Sequence, residues 1–315
     1  MINKSFFYQH TKTDQTEMTD VDAPPFPFSP IDEDRDRKRM KMTLGQFGAN
    51  ETLTYTFSES VENHTGMQQI GNKADRGFSN EALRDAKKRF EAAGATCRLY
   101  CLNDSLPDGT ESADTAHVLV VERGLGLLIG EHGTDSLVDE LKGQVAVVDK
   151  HAFMKGRVVN KLARWNLCYG DSEQEPDYDN KKGRILAFSN SPVLSSVRDT
   201  LSRYLSGARD LYAELNYYYD INKCGIGFHG DTERRKVVGV RVGASMPLHF
   251  QWFQRSLPIG ERVVIPLNQG DIYVMSEKAV GTDWQKKTIP TLRHATGCSK
   301  FTTIVTKPRT SDNAE

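Results

Sequence analysis

The sequence predicts an α+β fold in which a jelly-roll-like β core follows a smaller helical part. From Glu214 onward the chain is a series of short strand-like runs separated by Gly, Pro, Asn or charged turns. Short strands at this spacing are typical of a β-sandwich or barrel. Three helical segments precede them, which gives the mixed class. The runs are Tyr217–Asp220, Val237–Gly243, Leu248–Phe253, Glu261–Ile265, Asp271–Met275 and Phe301–Thr306.

The three helices are predicted from apolar spacing and from capping residues. Ser79 or Asn80 can cap the first helix, whose apolar face repeats at helical spacing until Gly94 ends it. The second is Asp135–Leu141. The third begins at Ser191–Pro192, with proline at the first helical position, where its missing N–H costs nothing.

Further strands are predicted between and before these helices. Cys97–Leu102 and Val118–Val121 have strand composition, and Val145–Val148 has that of a buried strand. Gly124–Ile129 is predicted as a turn followed by a short strand. Thr52–Phe57 is a possible short strand inside an otherwise poorly ordered region.

Residues 1–75 are predicted to be a disordered tail. Residues 24–30 are rich in proline, which disfavours helix and sheet alike. A basic cluster follows at residues 35–41. It has two interpretations: a solvated charge run in a flexible tail, or a nuclear-import or nucleic-acid patch. Residues 310–315 are predicted as a second, short tail.

Composition excludes several classes of protein. A formal net charge of -1 gives no global basic field for nucleic-acid binding, so such binding needs a local patch. Five cysteines, an odd number without a C-x-x-C pair, indicate reduced thiols in the cytoplasm or nucleus. The apolar runs are shorter than the roughly 20 residues that span a bilayer. We therefore expect no membrane association, and nothing indicates an obligate protein partner.

Residues 157–188 combine cations with aromatic rings. Cations can bind phosphates and rings can stack on bases, so a nucleic-acid surface is one interpretation. The other is an ordinary surface loop that its aromatics anchor to the core. The cations are Arg157, Lys161, Arg164, Lys181, Lys182 and Arg184, and the rings are Trp165, Tyr169, Tyr178 and Phe188.

A candidate metal site is formed by His229, Asp231 and His294. Side chains at i and i+2 of a strand share a face, so His229 and Asp231 can bind one ion. His294 lies 63 residues later, and a sandwich can bring it opposite. Two imidazoles and one carboxylate are the ligand set of non-haem Fe(II) oxygenases. A satisfied surface histidine is the alternative for His229.

The order of these motifs resembles the AlkB-like family of Fe(II)- and 2-oxoglutarate-dependent dioxygenases. The motifs are Asn216-Tyr217-Tyr218, His229-Gly230-Asp231, the strands of Val237–Phe253, the Gly270–Met275 turn and strand, and His294. The resemblance covers residues 145–309. It implies a double-stranded β-helix in a domain of residues 76–309. That domain would comprise an α/β extension (76–156), a nucleotide-recognition lid (157–190) and the core (210–309).

The resemblance also implies the chemistry. Fe(II) bound by the three ligands would take 2-oxoglutarate and O2, and the keto acid would be converted to succinate while the substrate is hydroxylated. Hydroxylation of an N-methyl group would release formaldehyde. The expected substrate is a nucleobase in DNA or RNA, which must leave the base stack to be reached.

By position, Asn216 and Tyr218 match the family's 2-oxoglutarate contacts. The family's final strand has two arginines six apart, and this sequence lacks them. Lys300, then Arg309, are the first candidates to bind the distal carboxylate. Arg241 is the third, because it shares a strand face with Gly239 and Gly243, which would leave room for a small ligand.

Glu233 matches the position of an acidic residue that contacts the exocyclic nitrogen of the base. A Glu233 paired with Arg234 or Arg235 is the alternative. Trp165, Tyr169 and Tyr178 are the expected base contacts from the lid.

Two other functions remain open. One is a hydroxylase of a protein side chain or small molecule, and the other is a non-catalytic binding module. Nucleic-acid binding predicts that Lys161, Arg164, Lys181 and Arg184 line the mouth of the metal cleft.

Overall fold

The computed structural model describes residues 48–110 and 114–305 and has the predicted α+β class. Within these residues, strands assemble into one eight-stranded and one four-stranded sheet and two small hairpins. All neighbours in the large sheet are antiparallel except β8 and β9. In spatial order the large sheet consists of β4 (Thr96–Cys101), β5 (His117–Glu122), β15 (Ile272–Met275), β12 (Val237–Gly243), β1 (Thr52–Ser58), β10 (Tyr212–Tyr218), β8 (Trp165–Gly170) and β9 (Ile185–Ala187).

The small sheet packs against one face of the large sheet. Phe250, Trp252 and Leu292 of the small sheet share an apolar cluster with Val118 and Met275 of the large one. In spatial order the small sheet consists of β11 (Gly225–His229), β16 (Thr291–Gly297), β13 (Leu248–Gln254) and β14 (Leu257–Ile265). The hairpins are β2 (Ser60–Glu62) with β3 (Gln69–Gly71), and β6 (His151–Met154) with β7 (Arg157–Asn160).

Four of the six described helices cover the other face of the large sheet, and the two short helices nearest the C-terminus pack against the small sheet. Ser79 caps the first helix, its hydroxyl accepting the N–H of Ala82 at 3.1 Å, and Pro192 begins the fourth, as predicted. The helices are α1 (Asn80–Ala92), α2 (Leu125–Ile129), α3 (Gly133–Gln144), α4 (Pro192–Tyr204), α5 (Glu277–Val280) and α6 (Ser299–Thr302). No helix in the described ranges has the length and apolar character needed to cross a membrane.

Side-chain alternation gives the large sheet one apolar and one polar face at its centre. Leu53, Tyr55 and Phe57 of β1 point into the core beneath the helices. The residues between them are threonines, which point towards the small sheet. Strands β10 and β12 alternate in the same way. The interior between the two sheets is therefore polar where these three strands meet.

The prediction of a disordered tail up to residue 75 is wrong for residues 48–75. Strand β1 lies at the centre of the large sheet, paired with β10 on one side and β12 on the other. Its partners lie more than 150 residues away, so no local pattern could reveal the pairing. The proline-rich segment, the basic cluster and residues 310–315 lie outside the described residues.

Three shorter predictions are also wrong. Gly124–Ile129 contains helix α2, and Val145–Val147 is a 3₁₀ turn. Phe301–Thr306 does not begin a strand, because α6 covers Ser299–Thr302, and residue 306 lies outside the described part. Short apolar runs do not distinguish helix from strand.

The segment 157–190, predicted as a lid, supplies β7, β8 and β9. Strand β8 pairs with β10 in the large sheet, and its Leu167 and Tyr169 are completely buried. Much of the segment is therefore part of the scaffold.

Truncation tests the position of β1. A chain that begins at residue 76 is expected not to fold, because it loses the central strand, whose three fully buried apolar side chains are each worth about 2–5 kcal/mol. A chain that begins at residue 48 is the control and should melt cooperatively. Circular dichroism during heating measures both, and a cooperative transition of the shorter chain would contradict the assignment.

Candidate metal centre

The three predicted metal ligands come together at one edge of the small sheet. His229 is the last residue of β11, and His294 lies directly opposite it on β16. Asp231 follows two residues after the strand ends. One ligand atom from each of the three residues lies within 4.8 Å of the others.

The distances between these atoms suit a metal ion. His229 Nε2 lies 3.4 Å and His294 Nε2 lies 3.7 Å from Asp231 Oδ1. Zinc and similar ions bond nitrogen and oxygen at roughly 2.0–2.2 Å, so ligand atoms around one ion lie roughly 3–4 Å apart. His229 Nδ1 donates to the Gly227 carbonyl at 2.8 Å, which leaves Nε2 free as a ligand.

A glycine between the ligands permits a close backbone approach. A Cβ at Gly230 would lie 2.0 Å from the Gly281 carbonyl oxygen and 2.8 Å from Trp284 Cβ. The Asp231 N–H donates to the Val280 carbonyl at 3.1 Å. The segment after α5 thus holds the turn that carries Asp231.

The electrostatics of the site favour metal ligation. Burial, and then the neighbouring His229, lower the pKa of His294 to about 3, so its imidazole is neutral. Burial opposes ionisation of Asp231, but His294, His229 and Arg234 outweigh it and lower that pKa. Burial also lowers the pKa of His229, but its bond to Asp231 more than compensates, and the net shift is upward. A metal ion binds the carboxylate and neutral imidazoles.

Arg234 orders the carboxylates around this centre. Its guanidinium is buried and donates to Glu214 at 2.6 Å and to Glu233 at 2.7 Å. It also lies 3.8 Å from Asp231 Oδ2. Glu233 therefore has the environment of the alternative interpretation, an ion pair with Arg234.

Asn216 belongs to a polar network on the floor of the site. Its Oδ1 accepts from Arg164 Nε at 2.5 Å and from Asn166 Nδ2 at 2.9 Å. Its Nδ2 donates to Glu214 at 3.2 Å. The Asn216 side chain is thus held by its neighbours. Tyr218 lies two residues further along the same strand. Burial raises the pKa of Tyr218, and the charges of Arg164 and Arg241 partly offset this rise.

Arg241 is the unusual residue of the interior. It is 1% exposed, and its Nε and Nη1 have no hydrogen-bond partner among the described residues. Thr54, its cross-strand neighbour on β1, has a buried hydroxyl that also has none. Burial lowers the pKa of Arg241. A bound anion would satisfy these donors.

The glycines on the strand of Arg241 do not leave room for a ligand, contrary to the prediction. A Cβ at Gly239 would lie 2.0 Å from the ring of Tyr273, so this ring occupies the space beside the glycine. A Cβ at Gly243 would lie 2.5 Å from the Glu51 carbonyl oxygen. The two glycines accommodate neighbouring protein atoms.

Of the other two cosubstrate candidates, the structure describes Lys300. Lys300 is exposed in α6, and its Nζ lies 5.8 Å from the ring centre of Phe301. Its prediction depended on a final strand that this part of the chain does not form. Arg309 lies outside the described residues.

The three aromatic residues predicted to contact a base stabilise the fold instead. Trp165 packs on Tyr217 and Tyr219, with ring centres 5.5 and 4.5 Å away. Tyr169 is completely buried and donates to Gln144 Oε1 at 2.7 Å. Tyr178 donates to Asp149 Oδ1 at 2.7 Å. The periodicity of β8 directs Trp165 and Tyr169 towards the helices, because they alternate with inward-facing Asn166 and Cys168.

The four cations expected at the cleft mouth have different partners within the protein. Lys161 is buried and donates to Asn63 Oδ1 at 2.6 Å, and burial lowers its pKa to about 8. Lys181 Nζ lies 5.6 Å from the ring centre of Phe153. Arg184 pairs with Glu175 at 2.6 Å. Of the four, Arg164 reaches the network beside the metal ligands.

Sequence reasoning missed Thr54, Glu214 and Tyr273, and it named Arg234 only as a possible partner of Glu233. One signal was present: Glu214, Asn216 and Tyr218 alternate with buried apolar residues, so their strand has a polar inner face. No sequence signal indicated Thr54, because its position beside Arg241 depends on the pairing of β1 with the distant strand β12.

Comparison with known proteins identifies a viral relative. No protein-family model matches the chain. The uncharacterized protein R156 of Acanthamoeba polyphaga mimivirus is 49% identical over 252 residues, which is 80% of this chain and 97% of the relative. The chain therefore belongs to the same family as this uncharacterized mimivirus protein.

Proposed function

We propose that the protein is an Fe(II)- and 2-oxoglutarate-dependent dioxygenase of the AlkB-like type. The convergence of His229, Asp231 and His294 carries the proposal. Two neutral imidazoles and one carboxylate leave coordination positions open for a cosubstrate and O2. We also propose that the two sheets form a double-stranded β-helix, with β1 in place of the final strand.

The donor groups around Arg241 support 2-oxoglutarate as the cosubstrate. A dicarboxylate would supply the anion that Nε and Nη1 of Arg241 and the hydroxyl of Thr54 lack. Tyr218, which is 2% exposed, is paired with Thr52 across β1 while Arg241 is paired with Thr54, so both side chains lie on the same face of the sheet. A bidentate guanidinium–carboxylate pair is strong and directional in a buried site.

The protein's own residues bind, orient and exclude water in this proposal. His229, Asp231 and His294 would hold the iron, which when bound activates O2 and couples decarboxylation of the keto acid to substrate oxidation. Arg234 keeps the Asp231 carboxylate in place, and the Gly227 carbonyl fixes the His229 ring. Arg241 and Thr54 would bind the distal carboxylate away from solvent.

The proposed substrate is a nucleobase in DNA or RNA. Glu233 would accept a hydrogen bond from an exocyclic amine while it remains paired with Arg234. A second candidate is a protein side chain or a small molecule that donates hydrogen bonds. The group of carboxylates formed by Glu62, Glu214 and Glu233 favours it, as do the contacts by which protein groups already occupy Lys161 and Arg184.

Succinate formation tests this function. The protein with Fe(II), 2-oxoglutarate and O2 is screened against methylated oligonucleotides, unmodified oligonucleotides and peptides. Succinate that depends on one substrate class supports the proposal and identifies the class. Absence of succinate with all three, from protein shown to contain iron, would count against it.

A pH-dependent stability is expected from Glu62. Burial, and then the charges of Glu233 and Glu214, raise its pKa from 4.5 to about 8. The folded state then binds more protons than the unfolded state between these values, so the stabilisation is lost as pH rises from about 4.5 to about 8. Glu62→Gln should reduce this loss of stability with rising pH, which thermal unfolding without metal measures. Replacing the exposed Glu131 with Gln is the control and should leave the loss unchanged. Equal declines in both variants would contradict the role given to Glu62.

A further inference from the structure

The outer face of the small sheet carries a row of stacked rings and guanidinium groups. The Arg262 guanidinium lies 5.0 Å from the ring centre of Phe228, which lies 6.1 Å from that of Phe253. The Arg293 guanidinium lies 4.1 Å from the Phe253 ring centre and 5.0 Å from that of Trp284. We call these five residues the outer ladder.

The positive charge of the outer ladder is not neutralised by the protein. Among the described residues, neither arginine has a carboxylate within 4.0 Å, and Arg293 Nε has no hydrogen-bond partner. Arg262 is exposed, and Phe228, Trp284 and Arg293 are half-buried. Phe253 is 3% exposed and supports the groups stacked on it. The surface therefore offers two cations that no described carboxylate neutralises, held against flat rings, with Arg293 Nη2 donating to the Trp284 carbonyl at 3.4 Å.

The outer ladder lies directly behind the metal ligands. Phe228 immediately precedes His229, and Arg293 immediately precedes His294, so in each strand the two side chains point to opposite faces. Its Trp284 end packs against Gly230, the residue between His229 and Asp231. A chain bound along the ladder would therefore lead to the edge where the metal ligands meet.

We propose that the outer ladder binds single-stranded nucleic acid. Arg262 and Arg293 contact phosphates or stack on bases, and the exposed parts of Phe228 and Trp284 add base stacking. Guanidinium planes and aromatic rings are the groups that bind unpaired bases, whereas a duplex keeps its bases stacked internally. An acidic peptide would match the charge but would leave the rings unused. The biological role of this binding rests on the proposed function, whereas the arrangement of the outer ladder does not depend on that function.

Fluorescence anisotropy tests the ladder. The full chain, without iron or keto acid, is titrated with labelled single strands of about 12 nucleotides. DNA and RNA strands are used, over a series of salt concentrations. Arg262→Glu is expected to weaken binding roughly tenfold and to reduce the slope of log K against log salt by about 0.7 for each phosphate that the variant no longer neutralises. Phe228→Leu should weaken binding without changing the slope, and its unfolding temperature shows whether it folds.

Arg203→Glu is the matched control. Arg203 is exposed on α4, which packs on the helical side of the large sheet, away from the small sheet. If Arg203→Glu reduces affinity and slope as much as Arg262→Glu, the binding is a general charge effect and the ladder is refuted. Equal binding of duplex, equal competition by an acidic peptide, or no binding to either strand also overturns it. Because the assay contains no iron, these outcomes are independent of succinate formation.

Discussion

Replacing His294 with alanine is expected to eliminate metal binding and succinate formation together. His294 is 7% exposed, its Nε2 points to Asp231, and its neutral imidazole is one of three ligands. Loss of groups that merely support a metal ligand weakens affinity by about 10–100-fold, so loss of the ligand itself should exceed about 100-fold. Calorimetric titration with Mn(II), which is stable in air, measures the affinity, and succinate release with Fe(II) measures the activity.

His249→Ala is the matched control for this variant. His249 lies on the neighbouring strand β13, next to Phe250, but on the face that points away from the metal ligands. It should keep metal affinity and succinate formation. If His294→Ala binds Mn(II) as tightly as the unaltered protein, the three residues do not form the metal site. If it loses the metal but keeps an activity on nucleic acid, the non-catalytic binding module becomes the better interpretation.

The meeting of the three candidate metal ligands could be predicted because the information needed is local and chemical. His229 and Asp231 are two residues apart, and a distant histidine followed by small residues completes a known ligand set. The rule that residues i and i+2 of a strand share a face correctly predicted that His229 and Asp231 lie together. The reason is partly different, because β11 ends at His229 and the turn at Gly230 positions Asp231. The helix starts at Ser79 and Pro192 were predictable for the same local reason.

Strand β1 shows where this kind of prediction ends. The short strand predicted at Thr52–Phe57 is confirmed, but the region around it was predicted to be disordered because of the preceding proline-rich segment. Its place between β10 and β12 depends on contacts with residues 212–218 and 238–243. Such pairing is set by the tertiary fold, and composition does not reveal it. Because the pairing of β1 could not be predicted, Thr54 was not identified and Lys300 was ranked above Arg241.

Arg241 is expected to have opposite effects on stability and on cosubstrate binding, which makes its replacement informative. In the protein without ligand it is a buried cation with two unpartnered nitrogens, so Arg241→Met should stabilise the fold by about 1–4 kcal/mol. The same change should remove the partner of the distal carboxylate. Losing a buried charge pair costs about 2–5 kcal/mol, so the KM for 2-oxoglutarate should rise roughly 30-fold or more.

Thermal unfolding with and without 2-oxoglutarate, at saturating Mn(II), separates the two effects. The unaltered protein should start at the lower melting temperature and gain stability from the keto acid, because a ligand that binds only the folded state raises it. Arg241→Met should start higher and gain little. Arg241→Lys keeps a positive charge but not the planar pair of donors, so its KM should lie between the two. An unchanged KM for 2-oxoglutarate in Arg241→Met would show that the distal carboxylate does not bind at β12. A lower melting temperature of this variant without ligand would show that Arg241 has a structural partner.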